Sequence, residues 1–179
     1  DFYPDSLDLG ENHTYTSWLI SPCVQNSDMD CMHCHTSSGR YRFKDENQNG
    51  ACMPCHEENV NNIWAHSHHP EGTKDLLCIS CHMPMTEFAR MDRSDHSLRP
   101  PMPAASIEFG SPNACNICHD DKDNEWSDKW VKKWIGRDYQ AEAVEVGKML
   151  LDARTGECEL LDEILIGLME NRFDEVYTT

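Results

Sequence analysis

The sequence predicts a mainly α-helical protein with extensive irregular loops and no long strands. Glycine and proline recur throughout residues 31–119, which is typical of loops and short helices. Apolar residues recur at helical spacing only after residue 119. Only 39% of the 179 residues are hydrophobic and the mean hydropathy is -0.68, which is too little for an ordinary apolar core. The chain must therefore stay partly unfolded or pack around something that is not protein.

The clearest helical patterns lie in the C-terminal third of the chain. Three tryptophans at helical spacing, followed by Gly136, predict an amphipathic helix that ends there; they are Trp126, Trp130 and Trp134. We interpret this stripe as core packing rather than an electron relay. A second helix is expected over about residues 140–153, before Gly156, and a third over about residues 158–170.

These patterns divide the chain into an N-terminal segment (1–30), a central domain (31–136) and a small helical tail (137–179). The formal charge of -17 disfavours nucleic acid and anionic lipid and suits basic partner proteins. No apolar run approaches the ~20 residues of a membrane span. Because the chain opens at Asp1 rather than methionine, we expect a secreted protein whose signal peptide was removed, located in the periplasm or outside the cell.

Four segments share the pattern C-x-x-C-H. They are Cys31–His35, Cys52–His56, Cys78–His82 and Cys115–His119, and their cysteine pairs are Cys31 with Cys34, Cys52 with Cys55, Cys78 with Cys81, and Cys115 with Cys118. This pattern is the attachment signature of c-type haem. Two thiols three residues apart can reach the two vinyl groups of one porphyrin edge, and the following histidine can bind the iron as proximal ligand. The sequence therefore predicts four haem c groups, with His35, His56, His82 and His119 as proximal ligands.

A redox dithiol, a zinc site or a disulfide scaffold could also use C-x-x-C pairs. None of these requires a histidine directly after the second cysteine, and here that histidine appears four times. All four motifs lie within 89 residues, so no haem can have a separate domain. We therefore predict a fold packed around a core of closely spaced haems.

Six of the ten histidines lie outside the proximal positions, namely His13, His33, His66, His68, His69 and His96. That number is enough to give every iron a second histidine, which favours low-spin, low-potential electron-transfer haems. If residues 66–69 form a helix-like turn, His66 and His69 share a face, and we expect them to bind two different haems. His96 is the third expected distal ligand and His13 the fourth, with His68 and His33 in reserve. The methionines after the third motif (Met83, Met85, Met91 and Met102) are interpreted as packing residues.

From His66 to about Gly136 the chain resembles multihaem c-type cytochromes with doubled C-x-x-C-H motifs. That class is similar to the tetrahaem cytochromes of nitrogen metabolism and to extracellular cytochrome filaments. The segments that carry the resemblance are His66-Ser-His-His69-Pro, Cys78-Ile-Ser-Cys81-His82-Met83-Pro84, Asp95-His96-Ser97 and Pro112-Asn-Ala-Cys115-Asn-Ile-Cys118-His119-Asp, with Trp126 and Trp130 beyond them.

The resemblance implies that His66, His69 and His96 are distal ligands. Many relatives also carry a histidine shortly after the first proximal histidine, but Thr36-Ser-Ser-Gly39 follows His35 here. The fourth distal ligand must then come from elsewhere, and His13 could supply it within the chain or from a neighbouring subunit, as filament-forming relatives do. The tail resembles the helical repeats that relatives append.

Three functions follow as hypotheses. The leading one is an electron carrier or conduit with four haems, which forms a filament if subunits exchange a histidine. The second is a reductase of nitrogen oxyanions, which needs one iron with an open position. The third is a docking subunit whose tail binds a larger redox complex. The remaining cysteines, Cys23 and Cys158, could form a disulfide in an oxidising compartment.

Overall fold

A computed structural model describes residues 2–7, 14–53, 55–74, 76–88 and 90–156, together with residues 162 and 166. Its elements are α1 (Thr14–Leu19), α2 (Pro22–Gln25), α3 (Cys31–Cys34), a 3₁₀ helix (Asp45–Cys52), α4 (Glu57–Asn61), α5 (Ile63–Ser67), α6 (Cys78–His82), β1 (Met85–Phe88), β2 (Met91–Ser94), α7 (Pro103–Phe109), α8 (Ala114–Cys118), α9 (Asn124–Ile135) and α10 (Ala141–Thr155). The predicted fold class, mainly α-helical with many loops, is confirmed.

The two long helices end at the glycines that the sequence predicts, and the first of them begins at a capping aspartate. The Asp123 carboxylate accepts a hydrogen bond from the backbone N–H of Trp126 at 2.8 Å and caps the start of α9. Gly136 ends α9 with a φ of 67°, and Gly156 ends α10 with a φ of 76°. Both glycines adopt the left-handed conformation that other residues resist. Of the third predicted helix, the structure describes only residues 162 and 166, and both are helical. Cys158, the possible partner of Cys23, lies outside the described residues.

A short antiparallel hairpin, which the sequence analysis did not anticipate, follows the third motif. Strands β1 and β2 pair from Met85↔Ser94 to Phe88↔Met91. Arg90 has a φ of 65°, as two-residue hairpin turns require. Met85 and Met91 are 53% and 41% exposed, and their interpretation as packing residues stays a prediction. They stand on a hairpin whose side chains are only partly covered.

Helix α7 packs against α9 and α10. The buried side chains of these three helices include Ala105 of α7, Val131 of α9, and Val146 and Leu150 of α10. The division between a central domain and a tail at residue 136 stays a prediction, and α10 contacts α7 across it. Within the described residues, no helix is both long and apolar enough to cross a membrane.

The N-terminal segment crosses α10. Arg154 near the end of α10 donates to the carbonyl oxygen of Phe2 at 2.9 Å. A Cβ atom on Gly147 would lie 2.6 Å from Cζ of Phe109 and 3.1 Å from the carbonyl oxygen of Pro4. Glycine at this position therefore lets residues 2–7 lie closely over the helices that support the fourth motif.

Candidate haem-binding site

Each C-x-x-C-H motif forms about one helical turn. Three motifs lie on α3, α6 and α8, and the second begins at the last residue of the 3₁₀ helix. The N–H of the motif histidine donates to the carbonyl of the first cysteine at 2.9 Å in the first and second motifs and at 3.0 Å in the fourth. Since residues i, i+3 and i+4 lie on one face of a helical turn, both thiols and the imidazole are on the same side of each motif.

Side-chain oxygens hold the start of three motif turns. The Asp30 carboxylate accepts from two backbone N–H groups of α3 at 2.8 and 3.1 Å. The side chain of Asn113 accepts from the N–H of Cys115 at 3.1 Å, and that of Asn49 accepts from the N–H of Cys78 at 3.0 Å. Such bonds satisfy N–H groups that a helix start leaves without partners. Because Asn49 lies just before the second motif, its bond also joins the second motif to the third.

Motifs that are consecutive in the sequence are neighbours in space. The thiol of Cys52 hydrogen-bonds to that of Cys78, which raises the pKa of Cys52 and lowers that of Cys78. The ring of His33 in the first motif lies 2.9 Å from the carbonyl oxygen that precedes the second. Burial, and then the nearby thiol of Cys118 in the fourth motif, raises the pKa of Cys81 in the third. Groups attached to these cysteines would therefore form a continuous series.

The two cysteines of the second motif differ in exposure. Cys55 is exposed, whereas Cys52 of the same motif is half-buried against Cys78. Cys31 and Cys118 are exposed as well. The physical reason at Cys55 is that the 3₁₀ helix ends at Cys52, so that Cys55 lies in the turn beyond it. Covalent attachment requires only that a vinyl group can reach the thiol, so Cys55 stays a predicted haem-binding residue.

The cysteines are not arranged as a zinc site. Among the described residues, no three histidine, cysteine or carboxylate side chains converge where they could hold a metal ion. Burial raises the pKa of Cys34 and of Cys81, and that of Cys115 to about 11. A structural zinc site requires four such histidine, cysteine or carboxylate ligands around one point. The zinc-ribbon alternative is therefore disfavoured.

Three motif histidines each face a histidine from outside the motifs. The ring centroids lie 6.2 Å apart for His35 and His96, 6.1 Å for His82 and His66, and 6.1 Å for His119 and His69, with angles between the ring planes of 22°, 18° and 26°. Two imidazoles on opposite sides of one metal, each with a metal–nitrogen bond of about 2 Å, put their ring centroids about 6 Å apart. The three pairs therefore fit an iron bound between two histidines.

Backbone carbonyls orient four of these six imidazoles. Nδ1 of His35, His69, His82 and His96 lies 3.1, 2.9, 3.2 and 2.8 Å from the carbonyl oxygens of Gly39, Ser67, Arg99 and Ser94, respectively. A proton on Nδ1 leaves the lone pair on Nε2 for a metal, and the hydrogen bond increases the basicity of the ring. Burial, and then the charge of nearby His66, lowers the pKa of His82, so that this ring is neutral and can bind a metal at pH 7.

The two reserve histidines have other contacts. Nε2 of His33, the nitrogen that would bind a metal, is hydrogen-bonded to the backbone. His68 stacks on Trp134 with a centroid distance of 4.9 Å and an interplanar angle of 12°. The argument that His66 and His69 share a helical face is wrong, because α5 ends at Ser67 and His68 has a φ of 57°. This break in the helix lets the two rings face two different motifs. His13 lies outside the described residues.

The tryptophan stripe of α9 extends along the fourth motif. Successive ring centroids from His119 through Trp126, Trp130 and Trp134 to His68 lie 4.8, 6.4, 5.6 and 4.9 Å apart. All three indoles are half-buried, whereas the fully buried side chains of α9 are other residues. The stripe therefore forms a row of aromatic rings that runs from His119, the predicted proximal histidine of the fourth motif, to His68. His68 is adjacent in sequence to His69, which faces His119.

A family model described as Cytochrome c552 matches residues 59–152, just over half of the 179 residues. The chain belongs to the cytochrome c552 family. This match covers the third and fourth motifs and the histidines that face the motif histidines, His66, His69 and His96. Neither the curated proteins nor the solved structures gave a match. Membership makes haem c the cofactor, as the motifs predicted, and supports a haem-based redox function.

Asn113 offers a test of how the fourth motif is held. Its buried amide caps α8 and also donates to Asn116, Asn124 and Ser127 at 2.6, 3.0 and 2.9 Å. We expect Asn113→Ala to lower the free energy of unfolding by about 1–3 kcal/mol, because it removes a helix cap and several buried hydrogen bonds. Denaturant unfolding followed by circular dichroism measures this loss.

The exposed Asn26, whose amide donates to the carbonyl of Pro22 at the end of α2, provides the control. Asn26→Ala should change the free energy of unfolding by less than about 0.5 kcal/mol. Equal losses in the two variants would contradict a structural role for the Asn113 network.

Proposed function

We propose that this chain transfers electrons through four covalently attached haem c groups, one on each C-x-x-C-H motif. The observation that carries the proposal is the set of three facing histidine pairs, each of which joins a motif histidine to a histidine from another segment. When bound, haem c supplies a one-electron iron couple whose potential depends on its axial ligands. The adjacent thiols of successive motifs support a closely spaced arrangement.

Each haem in this proposal has a defined set of protein ligands. The cysteines and the two axial histidines are Cys31 and Cys34 with His35 and His96, Cys52 and Cys55 with His56 and His13, Cys78 and Cys81 with His82 and His66, and Cys115 and Cys118 with His119 and His69. Backbone hydrogen bonds at Nδ1 support the Nε2 ligation of His35, His69, His82 and His96. His33 and His68 remain outside the ligand set.

Two histidines on each iron favour an electron carrier over an enzyme. An iron with both axial positions filled has no position for a substrate, and His/His ligation gives a lower potential than His/Met ligation. A reductase of nitrogen oxyanions would need one open iron. We therefore propose that the chain is not an enzyme.

The surroundings of the protein follow from its charge. A formal charge of -17 favours redox partners with basic surfaces and disfavours nucleic acid. We propose a periplasmic or extracellular location, where haem c proteins typically work. His13 would bind the second haem either within its own chain or in a neighbouring copy. In the second case, the chain would be a subunit of a homopolymer or filament.

A comparison of variants at the adjacent residues His69 and His68 distinguishes the loss of an iron ligand from a general effect of removing an imidazole side chain. We expect His69→Ala to convert one of four low-spin haems to the high-spin form, because its iron loses an axial ligand. His68→Ala should leave all four haems low-spin. Electron paramagnetic resonance of the oxidised protein measures both. The wild type should give the low-spin signals that are expected when the two imidazole rings on each iron are nearly parallel.

A high-spin haem in the pure wild-type protein would favour the reductase. Equal spectra from the two variants would contradict the assignment of His69.

His13→Ala tests the second haem and the homopolymer together. We expect one high-spin haem in this variant, and a low-spin spectrum would contradict ligation by His13. If the ligand comes from a neighbouring copy, dilution of the wild-type protein should produce the same high-spin signal, and negative-stain microscopy should show filaments in the wild type alone. A wild-type spectrum that does not change on dilution would indicate ligation within the chain.

A further inference from the structure

Residues 2–7 lie far from the motifs in sequence, yet one of them is buried beside the loop that leads to α7. The Asp5 side chain is fully buried. Its carboxylate accepts hydrogen bonds from Nη2 of Arg99 at 2.9 Å, from Oγ of Ser111 at 2.9 Å and from the N–H of Leu7 at 3.2 Å. A buried carboxylate requires such partners, because an unpaired one would lose its hydration without compensation.

Arg99 connects this carboxylate to a motif histidine. Its side chain is 17% exposed and donates from Nη1 to the backbone carbonyl of Asp5 and from Nη2 to the carboxylate. The backbone carbonyl of the same arginine accepts a hydrogen bond from Nδ1 of His82 at 3.2 Å. One residue therefore binds the N-terminal segment with its side chain and the third motif with its backbone.

The loop around Arg99 depends on such contacts for its conformation. Leu98 has a φ of 53°, a left-handed conformation that is unfavourable for leucine and persists only when the surroundings hold it. On the other side of it, the buried Asp95 accepts from the N–H and the hydroxyl of Ser97 at 3.0 and 2.7 Å. Asp95 and Arg99 thus fix the two ends of this strained stretch, and His96 lies between them.

We propose that Asp5 is a positioning residue of the redox site. Through its ion pair with Arg99, it holds the Arg99 carbonyl on Nδ1 of His82 and so lowers the potential of the haem on the third motif. The inference rests on the proposed function, because it requires His82 to be an axial ligand. A hydrogen bond at Nδ1 makes an imidazole a stronger donor to iron, which stabilises the oxidised haem.

A pure charge effect and a positioning role of Asp5 predict different shifts in the haem potential when Asp5 or Arg99 is substituted. Loss of the Asp5 carboxylate raises a nearby potential by charge alone, and loss of the Arg99 guanidinium lowers it. Loss of the hydrogen bond to His82 raises the potential in both cases. The double variant Asp5→Asn with Arg99→Met changes no net charge, so a charge effect predicts almost no shift, whereas the positioning role predicts a rise.

The test is a redox titration of the haem-loaded protein followed by nuclear magnetic resonance. Methyl signals of the haem on the third motif are assigned through their contacts with Cys78 and Cys81. We expect the midpoint potential of this haem to rise in Asp5→Asn and, through the lost hydrogen bond alone, in the double variant, and to stay near the wild-type value in Arg99→Lys, which keeps the ion pair. The double variant keeps the test informative if Arg99→Met leaves Asp5 unpaired and fails to fold.

Lys148→Met is the matched control, because it removes a cation from the exposed ion pair with Glu108, which contacts no motif histidine. It should leave all four potentials unchanged. No shift in a folded double variant would overturn the positioning role alone. If the third motif of the wild-type protein carries no haem, or carries a haem that is not bound by two histidines, the proposed function is overturned and this inference with it.

Discussion

The pairing of a motif histidine with a histidine from a different segment is the constraint on which the arrangement of this chain depends. The paired residues are 61 positions apart for His35 and His96, 50 for His69 and His119, and 16 for His66 and His82. Each pair fixes where a loop must return. The hairpin of β1 and β2 leads the chain from the third motif to His96, which lies beside the first motif. The break after α5 lets His66 face the third motif and His69 face the fourth. In the proposed function, a metal bond at each pair would replace much of the apolar packing that so polar a chain lacks.

The helices on either side of the fourth motif serve a different purpose. Helices α7, α9 and α10 form a small apolar contact of their own, and residues 2–7 lie across it. This support lies next to the fourth motif, where Asn113 connects α8 to α9 and the three tryptophans extend from His119 to His68. The positions of the third and fourth motifs therefore depend on segments from both ends of the described chain, although the motifs themselves lie in its middle.

The features that the sequence predicted depend on neighbouring residues. The glycine ends of α9 and α10 were expected from a few adjacent residues. The C-x-x-C-H turns and the capped start of α9 were not predicted, although they are local as well. The pairing of particular histidines, the hairpin and the cap that Asn49 provides for Cys78 depend on contacts between distant segments. Backbone carbonyls, such as that of Arg99 at His82, leave no sequence signal, because almost any residue can supply one. The helical-face argument for His66 and His69 assumed a continuous helix, and the left-handed residue His68 ends that helix.

In the proposed function, the eight motif cysteines carry four haems through covalent bonds. Intact mass spectrometry of the purified protein, denatured and treated with a reductant, counts these haems, because thioether bonds survive both treatments. We expect a single mass equal to that of the polypeptide plus four haem groups, and proteolytic fragments that each contain one motif and one haem. A mass equal to that of the polypeptide alone, or with fewer than four haems in fully matured protein, would contradict it.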